Sequence, residues 1–224
     1  MKAKTFVLFI AAFCVAIVAS CAGPTMKTNF TAGTYALNVN KIISNPKAAY
    51  IRLVEARLND EPVKETTVGG SEMRQGVYEF AALLENSGLF NSVEVVDDQS
   101  KTTIDQDSLF IEVSLAMEEH THSAAAGGKA FASGFFTLGI VPITIDYSCS
   151  SRMAIHVLRR NVEILSTSSL KSAEASSSHS YYASSPLAER PVARKFVRNE
   201  NNKALVDYLV KNSGKIYNEQ GRAE

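Results

Sequence analysis

SEMRQGVYEFAALLENSGLFNSVEVV, residues 71–96, is the stretch on which the fold turns. Met73, Val77, Phe80 and Leu84 recur at helical spacing and give one apolar face. Gly69-Gly70 breaks the chain ahead of them, the Ser71 hydroxyl suits an N-cap, and Glu72 complements the positive end of a helix. Gly88 stands where a left-handed C-cap is wanted. The spacing therefore predicts a helix over 71–87. Past Gly88, Leu89 and Phe90 re-enter the core, and Val93 to Val96 predicts a short strand. The partner element is SLFIEVSLAM, residues 108–117. Leu109, Ile111, Val113, Leu115 and Met117 share one face, with Glu112 and Ser114 on the other, the pattern of a half-buried strand.

Working outward, Tyr35, Leu37 and Val39 alternate with Ala36, Asn38 and Asn40, which predicts another strand. Residues 45–58 read two ways. Asn45-Pro46 suits a helix start, with Ile51, Val54 and Leu58 on one helical face, yet Ile51, Leu53 and Glu55 alternate as in a strand. Met153 to Leu158 and Val162 to Ser166 bracket Arg159-Arg160-Asn161 and predict a hairpin. Half of the residues over 166–185 are serine, a composition that predicts an extended edge or a mobile loop. A last helix is expected over 202–215, where Leu205, Leu209 and Ile216 mark the stripe and Lys211 and Lys215 suit the negative end. The expected architecture is α/β (α+β), a two-layer sandwich with a mixed sheet of about four to six strands and helices on one face.

The run Glu85-Asn86-Ser87-Gly88-Leu89-Phe90 followed by Val93-Glu94-Val95-Val96 resembles a group of bacterial envelope domains. These are of the type found in the amino-terminal domain of the Tol-Pal β-propeller protein and in the curli-secretion lipoprotein. The resemblance covers 71–168, with a strand like 108–117, a Gly-rich excursion at 124–145 and a hairpin like 153–166. It departs at Arg159-Arg160-Asn161, where the group carries a Gly-bearing turn. What it implies is envelope assembly or scaffolding, not catalysis.

The amino terminus points to the same compartment. Lys2 and Lys4 precede fourteen uncharged apolar residues, Phe6 to Ala19. That is the layout of a secretory signal, too short for a spanning helix, which needs about 20 residues. Val18-Ala19-Ser20-Cys21 resembles the lipobox of bacterial lipoproteins. The resemblance implies a diacylglycerol on the Cys21 sulfur, cleavage before Cys21, and a further acyl chain such as palmitate on the freed amine. Ala22 replaces the Asp that retains enteric lipoproteins at the inner membrane, so the outer membrane is expected, facing the periplasm. Residues 1–20 are then the signal peptide, 21–33 a flexible tether and 34–224 a single periplasmic domain.

Composition narrows the functional classes. Without Lys2 and Lys4, the 23 basic residues become 21 against 23 acidic, a net charge of −2. No basic block marks a nucleic-acid partner. Cys14 leaves with the signal and Cys21 carries lipid, so Cys149 has no partner for an internal disulfide and is expected as a small buried side chain. Glu118, His120 and His122 would share a face if their strand continues, but no further cluster completes the three or four ligands a zinc site needs. The serines around His179 contain no Gly-x-Ser-x-Gly elbow, and Gly127-Gly128 lacks the Lys of a phosphate loop. No catalytic residue, metal or cofactor is therefore expected.

Residues 130–145 carry no charge and hold Phe131, Phe135, Phe136, Leu138, Ile140, Val141 and Ile143, broken by Gly134, Gly139 and Pro142. They read either as core strand and turn or as an apolar loop in which Phe135, Phe136, Leu138 and Ile140 touch a membrane or a partner. The expectation is an accessory or scaffolding lipoprotein that binds another envelope component. The alternative is a lipid- or small-ligand-binding module whose pocket wall is the apolar excursion.

Overall fold

The computed structural model describes residues 25–31, 46–64, 67–96, 108–123, 143–179 and 189–217. In chain order the elements are β1 (Thr25–Thr28), β2 (Ala48–Leu58), β3 (Glu61–Pro62), α1 (Val68–Asn86), β4 (Ser92–Val95), β5 (Leu109–Ser123), β6 (Ile143–Arg159), β7 (Val162–His179), α2 (Glu189–Lys211) and α3 (Ser213–Tyr217). The strand expected at Tyr35 to Val39 lies outside the described residues, as do residues 1–24 and 124–142.

One mixed sheet of seven strands runs β1-β7-β6-β5-β2-β3, with β4 also paired to β2. β2 is parallel to β4 and to β5, and antiparallel to β3. The α/β class with helices laid on a mixed sheet is as expected. The chain divides into two compact units, each discontinuous in sequence. Unit 1 comprises 1–31, 120–149 and 173–194; unit 2 comprises 32–119, 150–172 and 195–224.

Unit 2 holds the large apolar core. Met73, Val77, Phe80 and Leu84 of α1 and Leu205, Val206 and Leu209 of α2 pack with Ile51 of β2, Leu109, Ile111 and Val113 of β5, and Met153, Ile155 and Val157 of β6. Fully burying each such side chain is worth about 1.5–3 kcal/mol, so the layer of helices and the layer of strands hold each other. The helix expected over 71–87 is present but starts earlier. Its N-cap is Thr67, whose hydroxyl accepts from the Gly70 amide at 3.1 Å, so Gly69-Gly70 lies in the first turn rather than breaking the chain. Its end is as expected. Gly88 adopts φ 65°, and Leu89 and Phe90 then turn inward, 2% and 3% exposed.

Residues 48–58 are a strand, so Pro46 does not open a helix. The register with β5 is regular from Ala49↔Leu109 to Leu53↔Val113, then jumps to Glu55↔Ser114. Val54 is the extra residue of a β-bulge and is exposed. A bulge shifts the two-residue period by one. Ala49 and Ile51 are buried before it, whereas Ala56 and Leu58 pack on the core after it. That shift explains why Ile51 and Leu58 fall at a spacing that also fits a helix.

Two further expectations are refined. The Ser-rich run takes the extended one of its two readings as far as His179 and is not a loop there. It is the second half of β7, with β6 on one side and β1 on the other over 175–178. Ala173, Ala175 and Ser177 point inward at 1%, 4% and 2% exposure. Small side chains pack here because the strand ladder, not side-chain bulk, satisfies the backbone. Residues 180–185 lie outside the described residues.

The final helix also begins well before Asn202, at Glu189. Ala193, Val197, Asn201, Leu205 and Leu209 form one buried ladder of four-residue steps. Asn201 hides that continuity from a hydrophobic pattern. Its amide donates to the Ser151 carbonyl at 2.8 Å, while Asn202 donates to the Gly76 carbonyl at 3.3 Å.

Candidate functional site

Unit 1 is assembled from β1, the end of β5, the start of β6, the end of β7 and the first residues of α2. Its anchoring contact is β1 on β7, antiparallel from Thr25↔Ser178 to Thr28↔Ala175. Asn29 extends the ladder by one rung. Its amide donates to the Glu174 carbonyl at 3.1 Å, and its side-chain oxygen accepts from the Glu174 amide at 2.9 Å. These two bonds fix both the edge strand and the backbone that carries the Glu174 carboxylate.

Beside this contact lies an open groove of about 470 Å³. Lys27, Thr28 and Asn29 line it from β1 and the residue after it, His122 from β5, Asp146 and Ser148 from β6, and Glu174 and Ser176 from β7. The alternation of the strands explains the polarity. Ile145, Tyr147, Cys149, Ala173, Ala175 and Ser177 are turned inward and buried, which leaves Asp146 and Glu174 on the exposed face. Tyr147, turned inward and 1% exposed, has the Arg190 guanidinium 5.8 Å from its ring centroid. Arg190 also donates to the Thr121 hydroxyl at 2.8 Å.

The groove gathers one ammonium and two carboxylates. Among the described residues, Lys27, Asp146 and Glu174 form no side-chain ion pair with each other or with any neighbour. Opposite charges thus line one cavity without neutralising each other. His122 has the His120 ring as its aromatic neighbour, centroids 6.3 Å apart, and among the described residues it forms no hydrogen bond to Ser148, Ser176, Asp146 or Glu174. A nucleophile, base and orienting acid in hydrogen-bonded contact are therefore not what this groove presents.

The residues singled out in the sequence fare differently. Glu118, His120 and His122 do lie on the continuation of β5, but only His122 lines the groove. Among the described residues, no three of His, Cys, Asp or Glu gather closely enough to hold a metal ion. Cys149 is buried, 2% exposed, as its reading as a small inward side chain anticipates. Val18, Ala19, Ser20 and Cys21, and Phe135, Phe136, Leu138 and Ile140, lie outside the described residues.

Lys27, Asp146, Ser148, Glu174 and Ser176 were not singled out from the sequence. Their signal is the i, i+2 spacing of Asp146 with Ser148 and of Glu174 with Ser176, which becomes visible only once both segments are known to be strands.

No protein-family model matches the chain, and no curated protein matches it. Among solved structures it is similar to a neuraminyllactose-binding hemagglutinin homolog from Helicobacter pylori, at 10% identity and TM-score 0.46, over 80% of this chain and 88% of that one. It is similar also to a minor lipoprotein from Acinetobacter baumannii, at 10% identity and TM-score 0.35, over 75% and 93%. A third is the rare lipoprotein B from Shewanella oneidensis, at 14% identity and TM-score 0.30, over 74% and 95%. Overlaps this partial are a likeness only, and nothing about the chemistry of this chain is taken from them.

Proposed function

We propose that the protein is a lipid-anchored, non-catalytic accessory component of the bacterial envelope. In this reading it is held on Cys21 at the periplasmic face of the outer membrane, where it binds another envelope component. The observation that carries the reading is the register of Val18-Ala19-Ser20-Cys21 with the charged start and apolar run before it. No helix among the described residues is long and apolar enough to cross a membrane, so in this reading attachment falls to the lipid. Several acyl chains hold firmly, since each buried methylene contributes about 0.8 kcal/mol.

The fold supports it in one respect. β1 begins four positions after Cys21, so only Ala22, Gly23 and Pro24 separate the acylated residue from a paired strand. The segment holding Phe135, Phe136, Leu138 and Ile140 joins the end of β5 to the start of β6, both in the same unit as β1. We assign these four residues to membrane or partner contact. Hydrogen-exchange protection of Phe135 and Phe136 in the lipid-free monomer would remove them from that role.

The reading as a whole is tested by Cys21→Ser. The expected outcome is loss of lipid label and release from the membrane fraction. Retention with the label intact would overturn it. Crosslinked capture of the acylated protein should then yield a discrete stoichiometric envelope partner.

A further inference from the structure

We propose that the unit 1 groove binds a small zwitterion, a primary ammonium joined to a phosphate, with the phosphate on Lys27 and the ammonium between Asp146 and Glu174. The case starts from the charges. Lys27 stands on the edge strand, Glu174 on the next strand and Asp146 on the one beyond, and all three line one cavity of about 470 Å³. Among the described residues, none is spent on an ion pair. A ligand of one sign would satisfy one side of this set and be repelled by the other. A zwitterion with one charge of each sign pairs with both sides and leaves one carboxylate charge over, and a phosphate monoester, at about −1.5 to −2, adds up to one further negative charge.

The remaining lining suits the same chemistry. Thr28, Ser148 and Ser176 offer hydroxyls, and Asn29 offers an amide, for the phosphate oxygens and the ammonium protons. Hydrogen bonds to charged groups are the stronger kind, so a shallow groove with several of them can hold a small polar ligand. A divalent metal is disfavoured, because no three ligating side chains converge among the described residues. Asn29 and Glu174 tie β1 to β7 beside the groove through two hydrogen bonds.

Placement supplies the source. Lys27 lies six positions after Cys21, so an anchored chain presents the groove to the headgroups of the bilayer that holds it. The source of the ligand rests on the membrane-anchored reading; its chemistry does not. The same ammonium–phosphate pair could be offered by a phospholipid headgroup or by a free metabolite.

The test uses the whole mature chain carrying Cys21→Ser, so that no acyl chain drives association, with O-phosphoethanolamine as probe. Calorimetry or nuclear magnetic resonance titration should show saturable binding. Lys27→Met, Asp146→Asn and Glu174→Gln should each weaken it by about tenfold, with the melting temperature unchanged. Ethanolamine alone and inorganic phosphate alone should each bind more weakly than the zwitterion. No binding, binding indifferent to all three substitutions, or equal binding of the two fragments would each overturn the proposal.

Vesicles separate the sources. Retention of the non-acylated chain on phosphatidylethanolamine but not phosphatidylcholine vesicles supports the headgroup. Retention on neither, with the soluble probe still bound, supports a free zwitterion of the same class. Lipid labelling of the native chain is read separately. A labelled chain whose groove binds nothing overturns the groove and leaves the anchor standing, and an unlabelled chain that binds the probe does the reverse.

Discussion

Asn59 and Asp60, at φ 51° and 65°, and Arg160 and Asn161, at 51° and 63°, hold left-handed backbone. Leu58 pairs with Glu61, so Asn59-Asp60 is a two-residue hairpin turn, and Arg160-Asn161 joins β6 to β7 in the same way. Such turns require positive φ at both central positions, which glycine adopts without strain. Asp60→Gly is expected to stabilise the protein by about 1 kcal/mol. Thermal melting should register this as a rise of about 2–4 °C, and an unchanged midpoint would count against the turn. The converse holds at Gly88, φ 65°, where Gly88→Ala should cost about 1–2 kcal/mol. Tyr217 sets a pH limit. Its hydroxyl donates to the Leu89 carbonyl, and burial raises its pKa above the ordinary 10.0, against smaller opposing effects of the Lys47 amide and the Arg159 charge. The folded value being the higher, this contribution is whole below pH 10 and is lost as pH rises through the folded value. Tyr217→Phe should cost about 1 kcal/mol at neutral pH and flatten the fall in stability above pH 10, as measured by denaturant titration.

At the scale of elements, the contact of α1 with the part of α2 in unit 2 is set by a missing side chain. A Cβ on Gly76 would stand 2.5 Å from Cδ of Arg198, whose guanidinium pairs with both carboxylate oxygens of Glu79 at 2.7 and 3.1 Å. Gly76→Ala therefore displaces Arg198 from Glu79, a loss offset in part by Ala's helix preference over Gly, and is expected to cost about 1 kcal/mol. In an Arg198→Ala background most of that cost should vanish, and a double-mutant cycle that came out additive would sink the explanation. The same elements show what a sequence reveals. α1, β4, β5 and the hairpin were legible because one uninterrupted period and one terminal signal sufficed for each. β2 was not, because the bulge at Val54 changes its phase midway. α2 was cut short because Asn201, a polar residue satisfied by the Ser151 carbonyl, occupies a core step. The carboxylate-bearing groove was hidden for a related reason. Glu174 and Ser176 look like loop composition until β1 and β6 are seen to flank them.

Across the molecule, the stretch after Cys21 leaves less free chain than its composition implies. The small polar run after Cys21 was expected to stay flexible to Gly33, yet residues 25–28 are a paired strand. Four residues from Cys21 to Thr25 reach at most about 14 Å, so under the anchored reading unit 1 is held near the headgroups. A Gly/Ser spacer inserted between Pro24 and Thr25 should leave the melting temperature unchanged while lowering bilayer quenching of a fluorophore placed in unit 1. Equal quenching with and without the spacer would mean that the short span does not set the distance. The β1 pairing has a mechanical side as well. It joins residue 25 to residue 178, 153 positions apart, through a ladder only four residues long. Under the anchored reading, any pull on the acyl chains is transmitted first to this ladder, which closes late in folding because its loop is so long and opens early because it is so short. Under tension, in that reading, the edge strand is the first element to peel, and the leash lengthens.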